Sequence, residues 1–167
     1  IGVSEWPSSN GQVFDELAGK YSLKMDAEGT KLTHKQLVQH HISDWDFMLL
    51  RAEANGMLVM VNDGEIKIGR PKIQSTEALQ VNYGSSILEF ESEIDARNQF
   101  KNVHATSWDY GNQQLFNAET SSVPFTEQGN ISGDDIAQAV SPENFELHHS
   151  GHKLEQELQD WTDGILI

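Results

Sequence analysis

The chain has no cysteine, which removes disulfides, thiolate nucleophiles and Cys-based zinc sites from consideration. Cationic side chains are scarce. Only 11 Lys and Arg stand against 26 Asp and Glu, a formal net charge of −15. A nucleic-acid surface needs a clustered positive footprint, so this balance argues against one, and equally against an anionic membrane. No apolar run approaches the ~20 residues that span a bilayer, and no basic-then-apolar leader opens the chain. The G-x-S-x-G, Walker and G-x-G-x-x-G patterns are missing too. Hydrophobic residues make up 37% of 167, enough for one ordinary domain or two small ones, with little surplus for a core. Ile1, not Met, opens the chain, as expected of a piece cut from a longer protein.

What is present is clearest between Ser43 and Gly56. Ser43 is placed to cap a helix over residues 44–55. Asp44 and Asp46 fall in its first turn, where the macrodipole favours carboxylates. Trp45, Leu49 and Ala52 recur at helical spacing, with Phe47, Met48 and Leu50 widening the stripe. Asn55-Gly56 supplies a left-handed stop. The apolar run Met57-Leu58-Val59-Met60-Val61 is too short for a helix. Bounded by Asn62-Asp63-Gly64, it reads as a buried central strand turning back through Glu65-Ile66-Lys67-Ile68. Gly69-Arg70-Pro71 then marks a boundary, giving a helix-plus-hairpin subdomain over 1–70 and a second over 71–167.

The remaining chain has weaker signals. Trp6 to Gly11 is a turn or cap cluster, and a short helix is predicted over 11–20 from Val13, Phe14, Leu17 and Ala18. Residues 25–32 read as a loop, and 35–42 as a strand or connector. Strands are predicted over 78–82, over 87–95 and over 103–109. In the second of these, Leu88, Phe90, Ser92 and Ile94 alternate with Glu89, Glu91, Glu93 and Asp95. Residues 117–134 read as loop, Ser132 caps a short helix over 134–140, and a last helix covers 151–163 before Gly164 ends it.

Val38-Gln39, Ser43-Asp44, Asp46-Phe47, Leu50, Ala52-Glu53 and Asn55-Gly56 keep the order of a block in the Vgr-type spike proteins of type VI secretion. The chain thus resembles that family and the related contractile phage tail hubs (late control protein D-like), departing from it at His40-His41-Ile42, Trp45 and Met48. The resemblance implies an α+β fold of small antiparallel β-barrel or sheet subdomains with helical insertions, truncated from a longer chain. It implies a structural, non-enzymatic part of a contractile injection apparatus: a homotrimeric baseplate hub linking spike to tube. Its partners would be copies of itself, the tube protein and spike-tip or effector proteins. No nucleic acid, membrane insertion or cofactor is expected. It would assemble in the cytoplasm and then be exported with the apparatus or form part of a phage-like particle. The residues expected to hold such a scaffold together are Trp45, Phe47, Leu49, Leu50, Met57, Val59 and Val61.

Chemistry has few candidates. Of seven histidines, His148 and His152 would share a face if a helix ran through His148-His149-Ser150-Gly151-His152, and two imidazoles so placed could hold a metal. A metal-dependent hydrolase is therefore one alternative, set against a solvated helix entry. His40-His41 reads as one ring inside and one outside a strand. Glu89, Glu91 and Glu93 read as a solvated stripe, and Asp44 and Asp46 as partners of the helix dipole. A monomeric ligand-binding module using exposed Trp6 and Trp108 is the second alternative.

Overall fold

In the computed structural model the described residues are 3–6, 9–72, 76, 79–93, 95–120, 130–139 and 144–167. The elements are β1 (Val3–Trp6), α1 (Asn10–Lys20), β2 (Lys24–Ala27), β3 (Leu37–His40), α2 (Asp44–Glu53), β4 (Leu58–Asn62) and β5 (Glu65–Gly69) in the first half. They continue as β6 (Asn102–Asp109), β7 (Gln114–Thr120), α3 (Gly133–Ala139), β8 (Asn144–His149) and α4 (Glu155–Leu166).

Local chemistry explains the helix ends. Ser9 caps α1 in a full capping box, its hydroxyl taking the Gln12 N–H while the Gln12 side chain takes the Ser9 N–H, so two orphan donors are satisfied at once. Ser43 Oγ accepts the Asp46 N–H at 3.0 Å and opens α2. That helix closes with Gly56 N–H on Glu53 O at 2.9 Å and Met57 N–H on Ala52 O at 3.0 Å, a Schellman pattern that needs the left-handed φ of 64° at Gly56. Between β4 and β5, Asp63 and Gly64 take φ of 48° and 77°, as a two-residue hairpin turn requires.

The fold is α+β. β1 and β3 form an antiparallel pair, and each larger sheet is mixed. β5 lies between parallel β2 and antiparallel β4, and β6 lies between antiparallel β7 and parallel β8. Among the described residues neither three-stranded sheet closes on itself, so the predicted barrels are corrected to open sheets. The central strand is β5, with Ile66 and Ile68 facing inward. The run from Met57 to Val61, predicted as central, instead leads into an edge strand.

Two apolar clusters carry the packing. The larger joins Val13, Phe14 and Leu17 of α1, Phe47, Met48 and Ala52 of α2, Leu37, Met57, and Ile66 and Ile68 of β5. The smaller sets Leu158 of α4 on Ala105 and Ala118, with Phe116 and Leu147 alongside. The alanines let the helix lie close to the sheet, and a hydroxyl network extends that contact. Gln159 Nε2 donates to Thr120 Oγ1 at 2.7 Å, and Thr120 Oγ1 lies 3.0 Å from the buried Thr162 hydroxyl.

Several predicted boundaries move. β2 occupies part of the stretch read as a loop, because it pairs with a strand about forty residues away. β7 takes Asn117–Thr120 from another predicted loop. The strand expected over 87–95 is not formed in its described part. Residues 88–93 have no ladder partner, and Leu88 and Phe90 are 77% and 74% exposed. Residues 79–82 are irregular as well. Alternation makes a segment fit for a sheet, but a strand needs a neighbour to take its hydrogen bonds. Residues 78 and 94, parts of these two expectations, lie outside the described residues, as does residue 140. Gly164 sits inside α4, which runs on to a buried Leu166.

Candidate functional site

The histidine candidates do not converge. His148 and His149 lie on strand β8 rather than on a helix, because Phe145, Leu147 and His149 alternate with Glu146 and His148 beside β6. His148 Nδ1 is 2.7 Å from Thr106 Oγ1. His149 accepts the Gly151 N–H at 3.0 Å and packs edge-on to Trp161. His152 Nδ1 lies 3.4 Å from Asp109 and its ring meets Phe116. The two rings of this candidate pair thus have different neighbours, one on Thr106 and the other on Asp109 and Phe116. Among the described residues no group of three or more His, Asp or Glu could hold a metal. His40 and His41 are both exposed, their rings in edge contact, with His41 at φ 49°. The inside-and-outside arrangement is corrected accordingly.

Buried Ser107 and Asp109 in the second half are committed to structure. Ser107 Oγ donates to Gly151 O at 2.6 Å and accepts the Lys153 N–H at 2.9 Å. Asp109 accepts Asn112 Nδ2 at 2.7 Å and the Gly111 N–H at 2.8 Å, shaping the turn after β6. The Asn112 bond, foremost, holds its carboxyl below the ordinary carboxylate range.

A polar cluster joins the two halves. Arg51 Nε donates to Asn10 Oδ1 at 2.8 Å, and its Nη2 donates to His34 Nε2 at 3.1 Å. Guanidinium has only donors, so Nε2 accepts and the His34 proton resides on Nδ1. That nitrogen faces Glu157 at 3.9 Å, and Lys153 Nζ holds the same carboxylate at 2.6 Å. Burial, first, and the Arg51 charge push the His34 pKa down. Its neutral form therefore belongs to the fold. The adjoining cavity is about 110 Å³, too small for more than a few waters. Nothing in the sequence announces this cluster, because its members are spread over three helices and two loops and form no motif.

At the start of α2, Asp44 accepts from Gln39 Nε2 at 2.7 Å, Lys20 Nζ at 2.6 Å and the Tyr21 hydroxyl at 2.7 Å. Those bonds, Gln39 foremost, lower its pKa to about 2. Above it opens an apolar groove of about 330 Å³ between α1, α2, β4 and β5, walled by Leu17, Leu23, Trp45, Met48, Val61 and Ile66.

This groove and the strand beside it form the surface most suited to a partner. Phe47 and Met57 are buried and Val59 is half-buried. Trp45, Leu49, Leu50 and Val61 reach the surface, where Trp45 is 42% and Val61 59% exposed. The helix thus turns Phe47, Met48 and Ala52 inward and leaves Trp45 at the rim, unlike the predicted stripe. Leu58 and Met60 are also more than half exposed. β4 is a sheet edge without proline or charge, and such an edge is a ready template for another strand. Trp108, 41% exposed, stands apart on β6. The side chain of Trp6 lies outside the described residues.

No curated protein matches the chain. A family model does: that of the Alg8 N-terminal domain, over residues 7–167. The family so identified replaces the Vgr-type spike and phage tail hub assignment. The same match overturns the expected injection-apparatus role and its non-enzymatic character, and it supports neither the hydrolase nor the ligand-binding alternative. Matched along almost its entire length, the chain belongs to the Alg8 N-terminal domain family.

Proposed function

We propose that this domain is a self-association module, which assembles into a homotrimer through the open edge of β4 and the apolar groove next to it. The carrying observation is the edge itself: Leu58, Met60 and Val61 stand more than half exposed on a strand whose outer edge has no neighbour among the described residues. Natural edge strands are usually blunted by charge, proline or a bulge, and a bare apolar edge is a place where another chain adds on. Exposed Trp45 extends the same patch, and Trp is enriched where proteins meet. An edge covered by a different surface of the next copy is a heterologous contact, which closes into a ring when the rotation permits. Three copies make a compact closed ring.

The reading includes the domain division. The two apolar clusters support subdomains over 1–70 and 71–167, joined by α4 and the Arg51 cluster. It also gives a route to barrels, because strands added at the open edges would complete what each sheet begins.

Sedimentation velocity over a concentration series tests the reading. The unaltered chain is expected to shift from monomer to trimer as concentration rises. Met60→Lys, at an exposed position that costs the core nothing, is expected to hold it monomeric. An unaltered chain that stays monomeric at the highest concentration rules the proposal out.

A further inference from the structure

We infer that the added strand on β4 is residues 87–93 of a second copy, an inference that rests on the self-association reading. The segment Ile87-Leu88-Glu89-Phe90-Glu91-Ser92-Glu93 has the alternation of a half-buried strand, yet Leu88 and Phe90 are 77% and 74% exposed. Its three glutamates have no ion pair among the described residues. Among the described residues the chain therefore carries both an apolar edge on β4 with no neighbour and an apolar–acidic strand sequence whose residues 88–93 have no ladder partner, Ile87 alone bridging to Tyr83, and the segment does not cover its own edge.

The faces match. In the β4–β5 ladder Met60 pairs with Lys67, and Val61 with Ile66. Leu58, Met60 and Lys67 thus share the outer face, while Val59, Val61 and Ile66 share the core face that continues into the groove under Trp45. A strand laid against β4 has its own two faces in the same two layers. Leu88 and Phe90 then extend the core face over Val61 and Trp45. Glu89, Glu91 and Glu93 fall on the outer face beside Leu58 and Met60, with Lys67 one strand further in and Arg70 and Lys72 lining the same groove.

Charge favours that arrangement. Three of the chain's 11 cations lie within residues 67–72. They line one groove of about 570 Å³ with Leu58 and Met60. Asp26 and Glu28 share its wall, and Glu28 Oε2 already accepts the Arg70 N–H at 3.2 Å. Lys67 has only a loose 3.7 Å contact with Glu65, both side chains being largely open to water. A net positive strip on a chain of charge −15 suits an acidic strand.

The absence of cysteine makes the test direct. Val61→Cys and Phe90→Cys proteins are prepared separately, mixed, and treated with a short bis-maleimide linker. A cross-linked heterodimer is expected, and the double variant alone should give cross-linked oligomers. In parallel, the triple variant E89K/E91K/E93K and the triple variant K67E/R70E/K72E should each weaken association by roughly tenfold or more, and mixing the two should restore it. Cross-linked monomer from the double variant would mean that the segment covers its own chain and would overturn the inference. Association that persists without cross-linking, or is indifferent to both charge reversals, overturns this inference and leaves self-association standing. A chain that never associates removes both.

Discussion

Asp44 shows how much a single side chain can organise. It opens α2 and takes hydrogen bonds from β3 through Gln39 and from the end of α1 through Lys20 and Tyr21. Its pKa falls from 3.8 to about 2. The sign follows from linkage. The folded chain holds this proton less well than the unfolded one, so the stabilisation is complete above pH 3.8 and fades as pH falls through 2. Asp44→Asn keeps the shape but loses the charge, and is expected to cost about 1–2 kcal/mol at neutral pH. Urea unfolding at pH 7 and pH 2 checks this: the gap between variant and parent should narrow at the acid end. His34 has the same sign at higher pH. Its lowered pKa means that neutral imidazole supports the fold above 6.5 and that acid works against it. Ser43, Asp44 and Asp46 are legible from the sequence because a helix start is a local rule. Asn10, His34 and Arg51 are not, because only the folded chain brings them together.

At the scale of the element, local signals and tertiary choice separate cleanly. α2, its Ser43 cap, its Gly56 stop and the Asp63-Gly64 hairpin can all be read in advance, since each depends on neighbours within a few residues. α1 belongs to the same class. Ser9→Ala removes the hydroxyl arm of its capping box, leaving the Ser9 N–H on Gln12, and is expected to cost about 1 kcal/mol, measured as a lower midpoint in thermal unfolding followed by circular dichroism. β2 and β7 are harder, because Lys24–Ala27 and Gln114–Thr120 become strands through partners elsewhere in the chain. The opposite error appears at 88–93, where a strand pattern finds no ladder partner among the described residues. The same gap explains Trp45. Helical spacing says that some face is apolar, but it does not tell an inner face from one awaiting a partner, and the stripe on α2 is wide enough to serve both. The hydrolase candidate fails at this scale too, because His148 changes neighbours once Asn144–His149 is a strand.

Across the whole molecule, the last helix ties the halves together. α4 packs on β6 and β7, places Glu157 at the Arg51 cluster beside Lys153 of the preceding loop, and brings Gly164 against the end of α2. A methyl group on Gly164 would sit 2.7 Å from Gly56 N and 3.2 Å from Glu53 O. Both are backbone atoms with no flexible end to yield. Gly164→Ala is therefore expected to cost about 1–3 kcal/mol, well outside the small gain that alanine normally brings to a helix. Differential scanning calorimetry is the check, and the variant should broaden or split the single transition expected of the parent. The facing position is as constrained, because a side chain on Gly56 would strike Gly164 at 2.8 Å and also strain a φ of 64°. Two hydrogens thus act as a hinge pin without a hinge: the crossing has no room to slide, and the halves are geared to one another. A bulkier residue at either position would push the last helix away from the end of the second, so these two glycines set how near the pair can cross.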